Sequence, residues 1–193
     1  ELENRTEFQG SISKGTALKG ISDVDIALRF TNNSFKNLSQ TKEEVIDFIE
    51  NLDDREILSV RNQPHSIGVF CKVDDKKFKI DLIPQRLQAN GNSYSIYHTP
   101  RDRSKNPSYR KTNTKIHKKL GKYSKSKKEM ILLLKANKAI NKLPISGFVL
   151  ERLVLKLMDR NIHKLSALNR FERLKLVVNE IINRIPDIKI KDP

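Results

Sequence analysis

Two aspartates, Asp23 and Asp25, lie two positions apart at the start of the apolar segment Val24–Phe30, whose residue types are those of a β-strand. Because side chains alternate between the two faces of a strand, both carboxylates should point to the same face. Like charges on one face repel each other, so a structural interpretation places them in solvent and a functional one gives them a cation. The alternate apolar positions are predicted to be core: Val24, Ile26 and Leu28.

A third aspartate, Asp81, lies inside a later apolar run between Ile80 and Leu82. A carboxylate in such a run needs a partner, and we therefore expect the three aspartates to meet on adjacent strands. Carboxylates suit Mg²⁺, and two such ions roughly 3.5–4 Å apart can activate a hydroxyl and stabilise a leaving pyrophosphate. The predicted catalytic and metal-binding residues are Asp23, Asp25 and Asp81, with two Mg²⁺ ions, or Mn²⁺ in their place, as cofactor.

A glycine and a serine, Gly10 and Ser11, follow a short predicted strand at residues 6–9. Glycine lets a phosphate approach the backbone closely, and Ser11 offers a hydroxyl and an N–H group. A helix that began here would add its N-terminal amides to a triphosphate site. The complete string from Gly10 to Leu28, GSISKGTALKGISDVDIAL, is far more specific than either dipeptide alone.

This string, with Asp81, resembles the DNA polymerase beta-like nucleotidyltransferase superfamily, most of all its oligoadenylate synthetase and bacterial cyclic-oligonucleotide synthase branches, and more distantly archaeal-type CCA-adding enzymes. Later segments are similar to uncharacterised bacterial nucleotidyltransferase-domain proteins: residues 61–69 (RNQPHSIGV), 79–84 (KIDLIP), 111–117 (KTNTKIH) and 144–151 (PISGFVLE). The resemblance implies a mixed sheet that carries the three aspartates, helices that flank it, and a helical domain that closes over the nucleotide.

The resemblance also implies nucleotide contacts. Ser11 would contact the triphosphate, and Lys135 matches the superfamily's phosphate-contacting lysine, although relatives often have an arginine and an aromatic residue around that helix. Glu151 also follows the pattern of the superfamily's helical domain. Its role could be structural, as a helix cap or as an ion-pair partner within that domain. The predicted nucleotide-binding residues are Gly10, Ser11, Lys14, Thr16, Asn113, His117 and Lys135.

Several of these residues have an ordinary alternative. Lys14 could contact phosphate or be an exposed loop lysine. Asn113 and His117 share a face of a short predicted helix, where they could read a base or ribose or simply face solvent. Tyr97 and Tyr109 could stack on a base or pack in the core. No metal role is predicted for His65 and His98, which have no ligand-spaced companions.

Predicted elements are mixed at first and helical later. A helix is predicted at residues 41–52, with Thr41 as N-cap and one face formed by Val45, Ile46, Phe48, Ile49 and Leu52. Strands at 66–73 and 77–83, joined by a turn at Asp74 and Asp75, follow it, and then helices at 127–141, 146–158 and 163–185. This order predicts an α+β fold with a mixed-sheet catalytic domain at residues 1–100, then a basic connector and helical domain at 101–193. The last helix should be core or a partner surface through Leu165, Leu168, Phe171, Leu174, Val177 and Ile181.

Composition narrows the class of protein. A net charge of +15 in 193 residues favours polyanionic partners, although biased genome composition also produces it, and residues 101–128 carry 12 Lys/Arg and one acid. This run could bind RNA or a triphosphate, or be a solvated loop.

Cys71 is the only cysteine, which excludes an internal disulfide and favours a cytoplasmic setting. No apolar run approaches the roughly 20 residues of a membrane helix. Glu1 stands first and a strand follows at once, so we expect an N-terminal segment to precede it.

These observations predict a template-independent nucleotidyltransferase that moves a nucleoside monophosphate from an NTP, most simply ATP, to a hydroxyl and releases pyrophosphate. The acceptor is a nucleotide, giving a short or cyclic oligonucleotide signal, or the 3′ end of an RNA such as tRNA. Transfer to a protein hydroxyl is a third alternative. A nucleic-acid-binding module with a decayed site is the non-enzymatic alternative, and the intact aspartates argue against it.

Overall fold

A computed structural model describes residues 6–100, 106–112, 123–161, 163, 165 and 167–184. The chain divides into two compact units, Glu1–Lys122 and Tyr123–Pro193. The first unit has a mixed sheet with helices, and the second is helical, as the α+β prediction requires. None of the described helices has the length and apolar character of a membrane span.

The first unit contains one seven-stranded sheet within the described residues. Its main path runs β1-β2-β5-β4-β3, while β6 pairs with β5 and β7 pairs with β6. Strands β2 and β5 are parallel and the other pairings are antiparallel, so the sheet is mixed. The strands are β1 (Glu7–Phe8), β2 (Val24–Phe30), β3 (Ile57–Asn62), β4 (Ile67–Val73), β5 (Lys76–Leu87), β6 (Tyr94–His98) and β7 (Ser108–Thr112).

The hairpin between β4 and β5 turns at the two predicted aspartates. Asp74 and Asp75 have φ angles of 47° and 62°, in the left-handed region that tight hairpin turns require and that aspartate tolerates. Strand β5, predicted to end at residue 83, continues through Pro84 to Leu87. The ladder to β4 ends at Leu82 and that to β6 begins at Arg86, so one edge of β5 is unpaired at the proline, where a missing N–H is tolerated.

Strands β6 and β7 move the unit boundary away from the predicted residue 100. β7 pairs with β6 along its whole length and thereby extends the sheet of the first unit to Thr112. Neither strand was predicted, nor was β3, because these short segments have no clear alternation of apolar and polar residues.

Helix α2 (Leu38–Glu50) covers the first unit's core, but it begins three residues before the predicted start. Asn37 is the N-cap, since its side chain accepts a hydrogen bond from the Gln40 N–H at 2.9 Å. Thr41 is buried inside the helix instead. Phe48, predicted to share one helical face with Val45 and Ile49, is 66% exposed because the buried stripe runs through Thr41, Lys42, Val45 and Ile49. Leu52, assigned to the same face, is also exposed.

The buried residues of the first core come from the sheet and from α2. They are Phe30, Val45, Ile49, Ile67, Val69 and Cys71.

The second unit packs three described helices, α3 (Lys125–Ile140), α4 (Gly147–Arg160) and α5 (Arg170–Arg184). Ser124 and Ser146 cap α3 and α4 by accepting N–H bonds from the third residue beyond. Helix α5 begins later than predicted because Asn169 and Glu172 form a reciprocal capping box. Phe171 lies in its first turn and is 73% exposed, so of the two predicted roles, core or partner surface, it does not fill the first.

The core of the second unit is apolar and continuous through the described helices. Its buried residues are Met130, Ile131, Leu150, Leu153, Val154, Leu155, Leu157, Met158, Leu165, Val177 and Ile181.

Candidate active site

The two parallel strands β2 and β5 bring the distant aspartates together. Asp25 lies directly opposite Asp81 in the register of these strands, so both side chains project from the same face of the sheet. Adjacent strands are about 4.8 Å apart. Asp23 precedes the first residue of β2, and its carboxylate and that of Asp81 both accept hydrogen bonds from the ammonium of Lys79. The structure therefore assembles the three carboxylates that the sequence analysis selected.

Lys79 is the charged residue of this site that sequence reasoning missed. Its Nζ atom donates to Oδ2 of Asp81 at 2.8 Å and to Oδ2 of Asp23 at 3.2 Å. The signal was present in the sequence, because the K-x-D spacing of Lys79 and Asp81 on a strand places both on one face. The site thus consists of three carboxylates and one ammonium.

Burial and mutual repulsion perturb Asp25 most. Burial is the largest cause that raises the pKa of Asp25, and the carboxylates of Asp81 and Asp23 add to it, bringing the pKa to about 6. The ammonium groups of Lys79 and Lys14 act in the opposite direction. A compensating cation would therefore stabilise the ionised form of Asp25.

The glycine of the predicted phosphate loop lies against Asp25. Gly10 has a φ of 59°, and a Cβ atom on it would lie 1.9 Å from Oδ2 of Asp25. The Gln9 N–H also donates to the Asp25 carbonyl at 2.7 Å, which fixes the loop to β2. Ser11 follows in the short helix α1 (Gly10–Lys14), so its hydroxyl and N–H lie on the segment next to the carboxylates.

Lys14 and Thr16 differ in their environment. Lys14 ends α1 and is near enough to Asp25 to lower its pKa, which agrees with a cation beside the site. Thr16 is fully buried, and its N–H donates to the Ser11 carbonyl at 2.9 Å. Because Thr16 is buried, we interpret it as a residue that holds the loop and not as one that contacts the nucleotide.

Ser22 closes the turn that leads into Asp23. Its hydroxyl accepts the Leu18 N–H at 2.9 Å, and its own N–H donates to the Leu18 carbonyl at 3.0 Å. The serine of the S-D-V-D string thus shapes the backbone that presents the first aspartate.

A polar loop covers the β4 side of the site. Gly68 lies opposite Asp81 on β4, and a Cβ atom on it would lie 2.3 Å from Nε2 of Gln63 and 3.4 Å from Cε of Lys79. Gln63 is held by the Ser66 hydroxyl, which donates to its Oε1 at 3.0 Å, and by Lys42, whose ammonium donates to its carbonyl. Burial lowers the pKa of Lys42 to about 8.

Residues 7–85 match the family model of the nucleotidyltransferase domain. This segment is a nucleotidyltransferase domain. It contains β1 to most of β5 and therefore Gly10, Ser11 and all three aspartates. A search of the curated proteins finds no match.

Solved bacterial synthases share the fold of this chain. The Elizabethkingia meningoseptica CdnE cyclic dinucleotide synthase superposes with a TM-score of 0.68 and 18% identity, over 97% of this chain and 73% of that one. E. coli CdnC with ATP gives 0.64 and 18%, over 98% and 60%. The Rhodothermus marinus CdnE c-UMP-AMP synthase gives 0.52 and 16%, over 78% and 61%. The chain thus spans about three fifths to three quarters of the length of these proteins.

The second unit of the chain contains Lys135, which was also predicted to contact phosphate. Its Nζ lies 3.2 Å from Oε2 of Glu151, and the Tyr123 hydroxyl donates to Oε1 of Glu151 at 2.8 Å. Both members of the ion pair are buried. Burial first, and then the hydrogen bond to Glu151, raise the pKa of Tyr123. Glu151 therefore pairs within the helical unit, which was one of its two predicted roles.

The remaining predicted residues are distributed as follows. Asn113 and His117 lie outside the described residues. Tyr97 and Tyr109 are partners in the β6–β7 ladder, and Tyr109 is 63% exposed. His65 and His98 stack with ring centroids 4.2 Å apart and Nδ1 atoms 3.1 Å apart, a pairing across distant segments that spacing alone could not reveal.

The carboxylates suit Mg²⁺ chemically. Their oxygens are hard donors, and Oδ1 of Asp81 is buried without a hydrogen-bond partner among the described residues. The described side chains include no ready-made group of three or more His, Cys, Asp and Glu ligands. Asp23 and Asp81 both direct Oδ2 toward the ammonium of Lys79.

Proposed function

We propose that this protein is a template-independent, Mg²⁺-dependent nucleotidyltransferase that joins nucleotides into a short or cyclic oligonucleotide. It would transfer a nucleoside monophosphate from an NTP, with ATP as the first candidate, to the hydroxyl of a second nucleotide and release pyrophosphate. The proposal rests on the position of Asp25 directly opposite Asp81 in the register of β2 and β5, with Asp23 and Gly10 beside them.

Two of the structural relatives support a nucleotide acceptor. One is a cyclic dinucleotide synthase studied with GTP and Apcpp, and another is a c-UMP-AMP synthase studied with Apcpp and Upnpp. E. coli CdnC was studied with ATP. Their likeness to this chain is one of fold, and the transfer of their chemistry to it is part of the proposal.

The chain's own residues would perform positioning and charge compensation. Gly10 and Ser11 would admit the triphosphate to the segment that touches Asp25, because a glycine there leaves room for phosphate oxygens. The acceptor hydroxyl would release its proton to solvent, and its oxygen would bond to the α-phosphorus as the bond from that phosphorus to the bridging oxygen breaks and pyrophosphate leaves. Asp23, Asp25 and Asp81 would hold two Mg²⁺ ions, which supply hydroxyl activation and stabilisation of the leaving charge.

An RNA 3′ end is the second candidate acceptor, and the net charge of +15 favours it. Most of the basic run 101–128 lies outside the described residues, but Arg110 and Lys111 on β7 belong to it and are exposed. A basic surface would also bind the triphosphates of a nucleotide-only enzyme. The charge therefore does not distinguish the two acceptors, whereas analysis of the products does.

Product analysis by mass spectrometry tests the proposal. The purified protein is incubated with all four NTPs and Mg²⁺, with and without total RNA, beside an Asp25→Asn variant and a charge-matched control, Asp53→Asn, on an exposed loop. We expect small oligonucleotides without RNA from the wild type and from Asp53→Asn only. Lengthened RNA instead of small products would support the 3′-end alternative. Steeply salt-dependent RNA binding with no transfer, and ATP binding that Mg²⁺ does not improve, would identify a binding module.

A further inference from the structure

The ammonium of Lys79 lies between two carboxylates that come from different segments of the chain. Lys79 and Asp81 are two residues apart on β5, and Val24 pairs with Ile80, so the residue before Val24, Asp23, lies beside Lys79. The two hydrogen bonds of 2.8 and 3.2 Å make Lys79 the cation that joins the first and third aspartates. A lysine that only faced solvent would not need to lie within hydrogen-bond distance of both carboxylates.

Burial makes this contact more than a surface ion pair. The side chain of Asp81 is 12% exposed and that of Lys79 is 24% exposed, whereas that of Asp23 is 52% exposed. Charge-assisted bonds to a mostly buried carboxylate are stronger than those between exposed groups. The Lys79–Asp81 bond is therefore the stronger of the two, and the bond to Asp23 is the more readily exchanged.

We propose that Lys79 is an internal competitor of the divalent cation, which a metal ion must displace from Asp23 and Asp81 before it can bind. The inference deepens the proposed function and rests on it, since it concerns the same carboxylates. An ammonium and a dication on the same two oxygens would repel each other strongly at a separation of about 4 Å. A metal ion bound through Oδ2 of Asp23 and Asp81 and the present position of Lys79 therefore exclude each other.

Gly68 on the neighbouring strand offers no open space for the displaced lysine, because a Cβ atom there would lie 2.3 Å from Nε2 of Gln63 and 3.4 Å from Cε of Lys79. The Lys79 side chain is 24% exposed, so its ammonium would move toward solvent when it leaves the two carboxylates. A triphosphate that arrives with the metal offers the displaced ammonium new anionic oxygens. Metal ion alone should consequently bind weakly, and metal with nucleotide should bind cooperatively.

Titration with Mn²⁺ alone, followed by electron paramagnetic resonance of the free ion, tests the competition without turnover. Lys79→Gln and Lys79→Met should each bind Mn²⁺ about tenfold more tightly than the wild type, because an ion pair of this burial is worth roughly that factor. Lys79→Arg keeps the charge and should bind like the wild type. Lys77→Gln is the matched control, since Lys77 lies two residues earlier on β5, is exposed and makes no ion pair among the described residues.

A second titration measures the coupling. A non-hydrolysable ATP analogue should raise the Mn²⁺ affinity of the wild type and of Lys77→Gln by a larger factor than that of Lys79→Gln. Far-UV circular dichroism verifies that each variant is folded, and Lys79→Met substitutes for Lys79→Gln if the amide variant is not.

An unchanged or weaker Mn²⁺ affinity in the folded neutral variants would overturn the competition. A weaker affinity would mean that Lys79 holds the carboxylates ready for the metal. Tighter Mn²⁺ binding in a protein that makes no nucleotide product would preserve the inference and refute the proposed function. Nucleotide products together with an unaltered Mn²⁺ affinity in Lys79→Gln would support the proposed function and refute the competition.

Discussion

Gly10 approaches Asp25 so closely that no side chain fits between them, since a Cβ atom on residue 10 would lie 1.9 Å from Oδ2 of the aspartate. The positive φ of 59° at Gly10 adds a second reason for glycine. The predicted phosphate loop and the predicted metal-binding strand are therefore in direct contact, and a change in one must disturb the other.

Replacement of this glycine provides the first prediction. Gly10→Ala should reduce nucleotidyl transfer by about a hundredfold or more, because the methyl group must push Asp25 out of position. Gly20→Ala is the matched control, since Gly20 also has a positive φ, of 73°, but a methyl group on it would meet nothing within 4 Å. The control should lose about 1–2 kcal/mol of stability from its backbone strain and keep its activity. Equal losses of activity in the two variants would contradict the role of the contact.

Asp25 provides a prediction about activity and pH together. Asp25→Asn should abolish transfer and leave the fold intact. The folded pKa of about 6 lies above the ordinary value of 3.8, so the folded protein binds this proton more tightly than the unfolded chain does. Ionised Asp25 therefore costs stability above pH 6, and the cost disappears as the pH falls through 6 toward 3.8.

Urea unfolding without divalent ions measures that cost. Asp25→Asn should be more stable than the wild type by about 2 kcal/mol at about pH 8, and the two proteins should converge near about pH 4. A stability difference that is independent of pH, or that grows in acid, would show that Asp25 is not the perturbed group.

The Gln63 side chain above Gly68 allows a double-mutant test. Gly68→Ala should cost about 1–2 kcal/mol of stability, because the new methyl group displaces the Gln63 amide and its hydrogen bond to Ser66. Gln63→Ala removes the obstacle, so the double variant should be less destabilised than the sum of the two single variants. Additive free energies of unfolding would exclude the contact in solution.

The buried pair of Lys135 and Glu151 makes a prediction for the second unit. Lys135→Met should destabilise the protein by about 3 kcal/mol, because the buried carboxylate of Glu151 would lose the ammonium that compensates its charge. Lys135→Met with Glu151→Leu removes both charges and should recover most of that loss. Chemical denaturation of the wild type, the two single variants and the double variant measures the coupling, and a double variant as unstable as Lys135→Met would contradict it.

Several features followed from the sequence alone because they depend on local geometry. The two-residue spacing of Asp23 and Asp25 on a strand is enough to place both carboxylates on one face. The turn at Asp74 and Asp75 likewise follows from residues that tolerate a positive φ. The string around Gly10 identified the class of domain, which the family match to residues 7–85 confirms.

Other features depend on pairing between distant segments. The register of β2 against β5 sets Asp25 opposite Asp81, and the same register carries Lys79 to Asp23. No periodicity in either strand specifies that register, because it is chosen by the burial of the whole sheet against α2. The helix start at Asn37 and the exposure of Phe48 were missed because the position of the buried stripe depends on what the helix packs against.

The sequence therefore determined which side chains could do the chemistry, since residue type and alternation are local properties. Tertiary structure decided what each of them touches: Lys79 on two aspartates, Glu151 on Lys135, and Gly10 against Asp25. Contacts of this kind form only when strands and helices separated in the chain share one core, so the energy that selects them belongs to the whole fold and not to any segment.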